Sequence, residues 1–191
     1  MKRLIFATNN AGKLKEMRAL LGSAFEILSL AEAGIQTEIP EDHDTFEENA
    51  LQKAQFIFER TQTPVFADDS GLEVEALNGK PGVFSARYAG ENCTPQDNIN
   101  KLLKELKGTE NRRARFVTTV ALVGSNGEHQ FFHGKCEGEI TREMHGEDGF
   151  GYDPVFRPAG YKLTFAEMPA AQKNRISHRA EAVQKLVTFL R

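Results

Sequence analysis

Lys2-Arg3-Leu4-Ile5-Phe6-Ala7-Thr8-Asn9-Asn10-Ala11-Gly12-Lys13-Leu14 is the stretch that decides the fold class. Residues 2–7 are a short apolar run of the kind a buried strand makes. Gly12 and Lys13 then open a helix whose Leu14, Met17 and Leu21 recur at helical spacing. Strand, short turn and helix begin an α/β unit, and the turn is suited to an anion. Its backbone N–H groups face outward at the positive end of a helix dipole. Gly12 lets the backbone approach a ligand closely, and Lys13 adds a point charge. This is not a Walker A loop: Ala7 stands where the first glycine belongs, and Leu14 where a metal-holding Ser or Thr belongs. A helix cap with a solvated lysine fits the same letters.

Outward from there, the elements keep alternating. Residues 27–30 read as a second short strand and 32–44 as an acidic loop. Thr45 and Glu48 have capping-box spacing, before a helix whose stripe is Phe46, Ala50, Leu51, Ala54, Ile57 and Phe58. Residues 64–67 form a strand expected to end at Asp68-Asp69-Ser70-Gly71. Residues 79–90 are a glycine-rich loop. Thr94 caps a helix with Pro95 at its first position, where a missing N–H costs nothing, and Ile99, Leu102, Leu103 and Leu106 are its apolar face. Residues 115–123 and 129–135 flank Asn126-Gly127, a hairpin signal, and 137–142 suggest a third strand. Residues 146–153 form a glycine-rich loop. A last helix begins near Ser177, with Val183, Leu186, Val187 and Leu190 on one face. Helix-linked strands followed by a meander imply an α/β protein with a mixed sheet.

Composition narrows the function. The chain has 191 residues, with 24 Lys+Arg against 27 Asp+Glu and a net charge of −3. That length suits a single domain over residues 1–191, and a chain of this size buries roughly 70% of its unfolded surface without needing disulfides. The mild acidity argues against a nucleic-acid polymer as partner. Cys93 and Cys136 match neither a zinc site nor a disulfide framework and read as reduced thiols. No apolar stretch reaches the ~20 residues of a membrane span, and 4–7 is too short for a signal peptide's apolar region. A soluble, cytoplasmic protein is expected, with no membrane partner.

Four further features carry possible chemistry. Asp68 and Asp69 are adjacent on a strand, so their side chains point to opposite faces and do different jobs. One can bind Mg²⁺ or draw a proton from water; a polar turn closing a strand is the bland alternative. In the acidic loop, Glu38, Glu41, Asp42 and Asp44 offer a second carboxylate, although most of them read as solvated. Asn49 and Lys53 lie four apart on one helix face, off the apolar stripe, and are placed to reach the Asp69 strand. Phe150-Gly151-Tyr152-Asp153-Pro154 combines two aromatics, a flexible residue and an acid, a stacking platform with a polar handle. Lys173 and Ser177-His178-Arg179 supply directional donors for keto oxygens or phosphate.

Taken together, these motifs resemble the non-standard purine nucleoside triphosphate pyrophosphatases, the inosine/xanthosine triphosphatase (dITP/XTP pyrophosphatase) family. The resemblance runs from Ile5 to Leu190. Ala7–Lys13, Thr45-Phe46-Glu47-Glu48-Asn49-Ala50 and Ala67-Asp68-Asp69-Ser70-Gly71-Leu72 carry it, with Pro81-Gly82-Val83-Phe84-Ser85-Ala86-Arg87-Tyr88-Ala89-Gly90, Gly149–Pro154 and Ser177-His178-Arg179. It implies an α/β fold with an elongated mixed β-sheet and flanking helices forming two lobes around a central cleft. It also implies a homodimer and Mg²⁺-dependent cleavage of ITP, dITP and XTP between the α and β phosphates.

Carried over by residue, the resemblance implies that Thr8, Asn9, Asn10, Ala11, Gly12 and Lys13 hold the triphosphate. Asp69 is then proton acceptor and metal ligand, with Lys13 and Lys53 beside the phosphates. Ser70 contacts substrate. Phe150, Gly151, Tyr152 and Asp153 flank the base, with Phe150 the stacking ring. Lys173, His178 and Arg179 contact substrate, the last two at the base edge. One departure stands out: Pro40 occupies the place of a metal-binding Glu, which leaves Glu41 as the expected ligand and Glu38 behind it. A catalytically silent nucleotide binder and a pyrophosphatase of other base preference are the competing readings. A substrate of about −4 charge requires a locally positive pocket, expected from Lys13, Lys53, Lys173, Arg179 and Mg²⁺.

Overall fold

The computed structural model describes residues 2–191. Among these, six strands form one sheet: β1 (Lys2–Phe6), β2 (Phe25–Leu28), β3 (Val65–Val74), β4 (Arg113–Val123), β5 (His129–Ile140) and β6 (Phe156–Pro158), in the spatial order β2-β1-β3-β4-β5-β6. The helices are α1 (Ala11–Leu21), α2 (Phe46–Thr61), α3 (Pro95–Glu105), α4 (Ala170–Ile176) and α5 (His178–Leu190). β1 pairs in parallel with both β2 and β3, and each connection contains a helix, as a parallel crossover requires. β5 pairs antiparallel with β6. The β4–β5 link turns at Asn126-Gly127, where Gly127 N–H donates to Gly124 O at 3.0 Å and Gly124 N–H to Glu128 O at 2.9 Å. The sheet is therefore mixed, as the order of motifs implied.

The chain divides into two compact units. The first comprises the chain through Asp69 together with Thr118–Gly134 and Arg179–Arg191; the second comprises Ser70–Val117 and Lys135–His178. In the first unit both faces of the sheet are covered, so its strands read as continuous apolar runs. Alternate residues sort onto the two faces. Leu4, Phe6, Phe66, Val120 and Leu122 pack with Met17 and Leu21 of α1 and with Ala182, Val183 and Leu186 of α5. Ile5, Ala7, Val65, Ala67, Ala121 and Val123 pack with Ala50, Ala54 and Ile57 of α2. Phe6 and Phe66 are fully buried and stack at 4.6 Å; truncating either to Ala would cost about 3–5 kcal/mol.

In the second unit, Ile99, Leu102 and Leu106 from α3 and its end pack on Leu72, Val74, Ala114, Phe116, Ile140 and Phe156. α3 starts with a complete capping box: the Thr94 hydroxyl accepts from Asp97 N–H at 3.2 Å, and Asp97 accepts from Thr94 N–H at 2.8 Å. α2 uses only half of that device. Thr45 Oγ1 accepts from Glu48 N–H at 3.2 Å, but Glu48 turns its carboxylate to the Thr45 hydroxyl, at 2.8 Å.

Several boundaries differ from expectation, each for a reason of context. Asp68-Asp69-Ser70-Gly71 does not end a strand; β3 continues to Val74, with all but Ser70 and Glu73 of its ten residues buried. Packing on both faces holds the polar segment extended. The strand expected over 137–142 is the far half of β5. β2 starts at Phe25, because that ring is buried beside Ile27. β6 and α4 are too short for periodicity to reveal. Both cysteines are free thiols. Among the described residues no helix is long and apolar enough to cross a membrane.

Candidate active site

The alternation of β3 decides which partners each aspartate meets. Asp68 follows Phe66 on the α1/α5 face, and Asp69 follows Ala67 on the α2 face. Asp68 Oδ2 accordingly lies 3.0 Å from Lys13 Nζ of α1 and 3.4 Å from Arg179 Nε of α5. Glu16, one turn beyond Lys13, binds the other end of the Arg179 guanidinium. Arg179 is 2% exposed and is held between two carboxylates. Burial lowers the Lys13 pKa, and the Asp68 charge acts against that shift.

On the other face, Asp69 meets α2. Asn49 Nδ2 donates to Asp69 Oδ2 at 3.1 Å, and Lys53 Nζ lies 3.9 Å from Oδ1. Lys53 is also in contact with Glu41. Asn49 and Lys53 are buried, not solvated, because both sit on the side of α2 that faces β3. Asn49 further ties the acidic loop down, accepting from His43 N–H at 2.9 Å and donating to His43 O at 3.1 Å. Thr118 Oγ1 donates to the Asp69 carbonyl at 3.2 Å. Burial raises the Asp69 pKa, and Glu41 adds to the rise, while Lys53, Lys13 and the Asn49 hydrogen bond oppose it. The result is a carboxylate more basic than an exposed one.

The loop between β1 and α1 has the form expected of it. Asn10 is the N-cap, its Oδ1 accepting from Lys13 N–H at 3.0 Å. Thr8 Oγ1 accepts from Asn10 N–H at 3.1 Å, and Asn9 Nδ2 reaches Thr37 O at 3.4 Å. Asn9, Asn10 and Ala11 are exposed, and Thr8 and Gly12 half-buried. The amides of Ala11 and Gly12 belong to the first turn, which has no intrahelical acceptors. The loop is thus an open donor surface above a lysine that already faces an acid.

The second unit holds a separate group. Lys173 Nζ lies 2.6 Å from Asp153 Oδ2, both side chains being buried, and the same oxygen accepts from Phe150 N–H at 3.0 Å. Phe150 is half-buried, its ring centroid 5.0 Å from Lys173 Nζ. Gly149 has φ +80°, and a Cβ there would lie 2.2 Å from Asp153 Oδ2, so only glycine fits. Gly151 is half-buried with φ +60°. Tyr152 is 4% exposed and donates its hydroxyl to Ser85 O at 2.8 Å. The His178 ring stacks on Phe116 at 4.8 Å. Ser70 is half-buried, the first residue of this unit. The chain passes between the units four times, Asp69-Ser70 and His178-Arg179 being two of the crossings. Neighbours in sequence therefore belong to different groups, and Arg179 is found with Asp68 and Glu16.

Among the described residues no three carboxylate, imidazole or thiol groups cluster as a metal cage. Two carboxylates do converge. Glu41 and Asp69 share the Lys53 ammonium, whereas Glu38 is exposed. Two hard oxygen donors suit a cation that takes its remaining ligands from phosphates and water. Sequence reasoning missed Glu16, although its i+3 spacing from Lys13 was readable; Thr118 and Phe116 left no local signal, and Ser85 was visible only as part of the 81–90 motif.

Comparison with known proteins places these groups in context. The Ham1 family model matches residues 4–189. A dITP/XTP pyrophosphatase of Porphyromonas gingivalis is 53% identical, covering 100% of this chain and 98% of that protein. One from Flavobacterium johnsoniae is 47% identical over 98% of this chain and 97% of its own. The structure of the Staphylococcus aureus Ham1 protein superposes with a TM-score of 0.89 at 41% identity, covering 99% of this chain and 98% of that one.

Proposed function

The chain belongs to the Ham1 family, and from that membership and the geometry above we propose that it hydrolyses dITP, XTP and ITP between the α and β phosphates. The products are a nucleoside monophosphate and pyrophosphate, and the effect is to keep non-standard purines out of DNA and RNA. The observation that carries this reading is Asp69: a buried, basic carboxylate oriented by Asn49 at 3.1 Å with Lys53 beside it.

On this reading Asp69 orients the attacking water and takes its proton as the oxygen bonds to the α-phosphorus. The bond from that phosphorus to the bridging oxygen breaks, and pyrophosphate leaves. Lys53, Lys13 and the amides of the Thr8–Lys13 loop hold the charge that builds on the leaving group. Asp68 and Glu16 fix Lys13 and Arg179, so these cations need no reorganisation during the reaction. Asp69 and Glu41 would hold Mg²⁺, which supplies charge neutralisation on phosphate oxygens. Phe150 stacks on the base. Lys173 and His178 are donors that suit a 6-keto oxygen, whereas the 6-amino group of adenine offers them no acceptor there. Ser70 contacts the substrate.

The chain is read as one catalytic domain over 1–191, working as a cytoplasmic homodimer on free nucleotides and not on polymers. The net charge of −3 supports the last point, and the family resemblance supports the others. Incubation with dITP, XTP, ITP, ATP and GTP, with and without Mg²⁺, tests the core of the reading. Pyrophosphate release, faster on dITP, XTP and ITP than on ATP or GTP and dependent on Mg²⁺, is expected. Orthophosphate release, or equal rates on ATP and ITP, would overturn it. Light scattering on the purified protein tests the dimer.

A further inference from the structure

The segment 81–90 is among the strongest marks of the chain, and nothing so far gives it a task. In the structure its centre, Ser85, joins three pieces of the second unit. Ser85 Oγ accepts from Leu72 N–H at 2.9 Å, two residues beyond Ser70, and donates to Gly82 O at 2.6 Å. Its carbonyl accepts the Tyr152 hydroxyl at 2.8 Å. The segment is itself fastened to α3. Asn98 donates to Ala86 O at 3.1 Å and accepts from Ala89 N–H at 2.7 Å, and Lys101 donates to Tyr88 O at 2.7 Å. Ser85 therefore presents its carbonyl from a rigid mount.

Tyr152 stands between Phe150 and Asp153 in a loop that needs such a mount. Gly149 and Gly151 both have positive φ, so the backbone around Phe150 has little stiffness of its own. One anchor is the Asp153 carboxylate, gripped by Lys173 and Phe150 N–H. Tyr152 is the other, its ring in the core and its hydroxyl spent on Ser85. Burial pushes its phenol above the ordinary value, so it stays a donor.

We infer that Tyr152 is a positioning residue for base selection: Ser85, mounted on segment 81–90, holds the Tyr152 hydroxyl and thereby sets where Phe150 and Asp153 present themselves to the base. The inference rests on the proposed role of this loop in taking the base.

The test is Tyr152→Phe, which removes one oxygen and keeps the ring. A net hydrogen bond of ordinary strength corresponds to roughly a fivefold to tenfold effect. The preference for dITP over dATP, as a ratio of kcat/KM values, should fall by about that factor, with KM for dITP raised more than kcat is lowered. Hydrogen exchange at the amides of Phe150 and Asp153 should quicken, a readout that needs no activity. Tyr88→Phe is the control. It removes a hydroxyl that contacts Glu105 on α3, and it should lower stability without moving the preference. Unchanged selectivity and exchange in Tyr152→Phe would overturn the inference, as would an equal loss of selectivity in Tyr88→Phe. A wild-type protein inactive on dITP would instead sink the proposed function, and faster exchange at Phe150 in Tyr152→Phe would still support the positioning.

Discussion

Both units bury aspartates against lysines, and two of these pairs, Asp69–Lys53 and Asp153–Lys173, are built differently. In the second unit Asp153 and Lys173 touch at 2.6 Å, and the same carboxylate oxygen binds a backbone N–H. In the first unit Asp69 and Lys53 stand 3.9 Å apart, and Lys53 leans toward Glu41. Burial is nearly the same, with side chains 5–9% exposed in both pairs. Contact is what separates them. A closed pair offsets its desolvation with direct hydrogen bonds and acts as a clamp. An open pair leaves the carboxylate only partly compensated, so burial wins and its pKa rises. On the proposed reading the clamp shapes a loop, and the open pair, with its raised carboxylate pKa, handles a proton.

The sharpest way to break this comparison is Asp69→Asn. A lost general base costs about 10²–10⁴ in rate, so turnover should nearly vanish while calorimetry still detects substrate binding. Most of kcat surviving would mean that the open pair is not the chemical one. Asp153→Asn should act in the opposite sense on stability. It leaves the Lys173 charge buried without its counterion, at a cost of about 3–5 kcal/mol, readable as a lower urea midpoint. Asp69→Asn should show no such loss.

Glu41→Gln comes next. If Lys53 leans on a metal carboxylate, this variant should need more Mg²⁺ for half-maximal activity; an unchanged titration would return the role to Glu38 or to Asp69 and phosphate alone. The smallest effect is a pH dependence of stability in metal-free buffer. The folded pKa of Asp69 lies above the ordinary 3.8. Its contribution is then fully favourable below the unfolded pKa and is lost as pH rises through the folded one. Asp69→Asn should therefore gain stability relative to wild type as pH increases across that window. A constant difference would mean that Asp69 is not desolvated.

Legibility in the sequence followed the distance over which each feature is decided. The Thr94-Pro95-Asp97 start of α3 and the Asn126-Gly127 turn were readable because their hydrogen bonds close within a few residues. Thr45-Glu48 was only half readable, since the Glu48 carboxylate, with two possible donors on Thr45, took the hydroxyl and not the backbone N–H. Asn49 and Lys53 could be placed on one face of a helix, but whether that face met solvent or β3 depended on a strand twenty residues away. Arg179 looked like a companion of His178, yet its partners are Asp68, 111 residues distant, and Glu16. Tyr152 could be read as an aromatic face, but its hydroxyl bond to Ser85, 67 residues away, left no local trace.

The amino-acid order alone settled the mixed α/β class, the strand–turn–helix start around Thr8–Lys13 and the opposite facing of Asp68 and Asp69. Periodicity, capping and strand alternation are local rules, and they leave little choice. Only the tertiary structure decided which cation each acid meets, how far apart each pair stands and that burial raises the Asp69 pKa. Desolvation and ion pairing depend on atoms brought together from distant parts of the chain, and no local pattern encodes a gap of 3.9 Å against one of 2.6 Å.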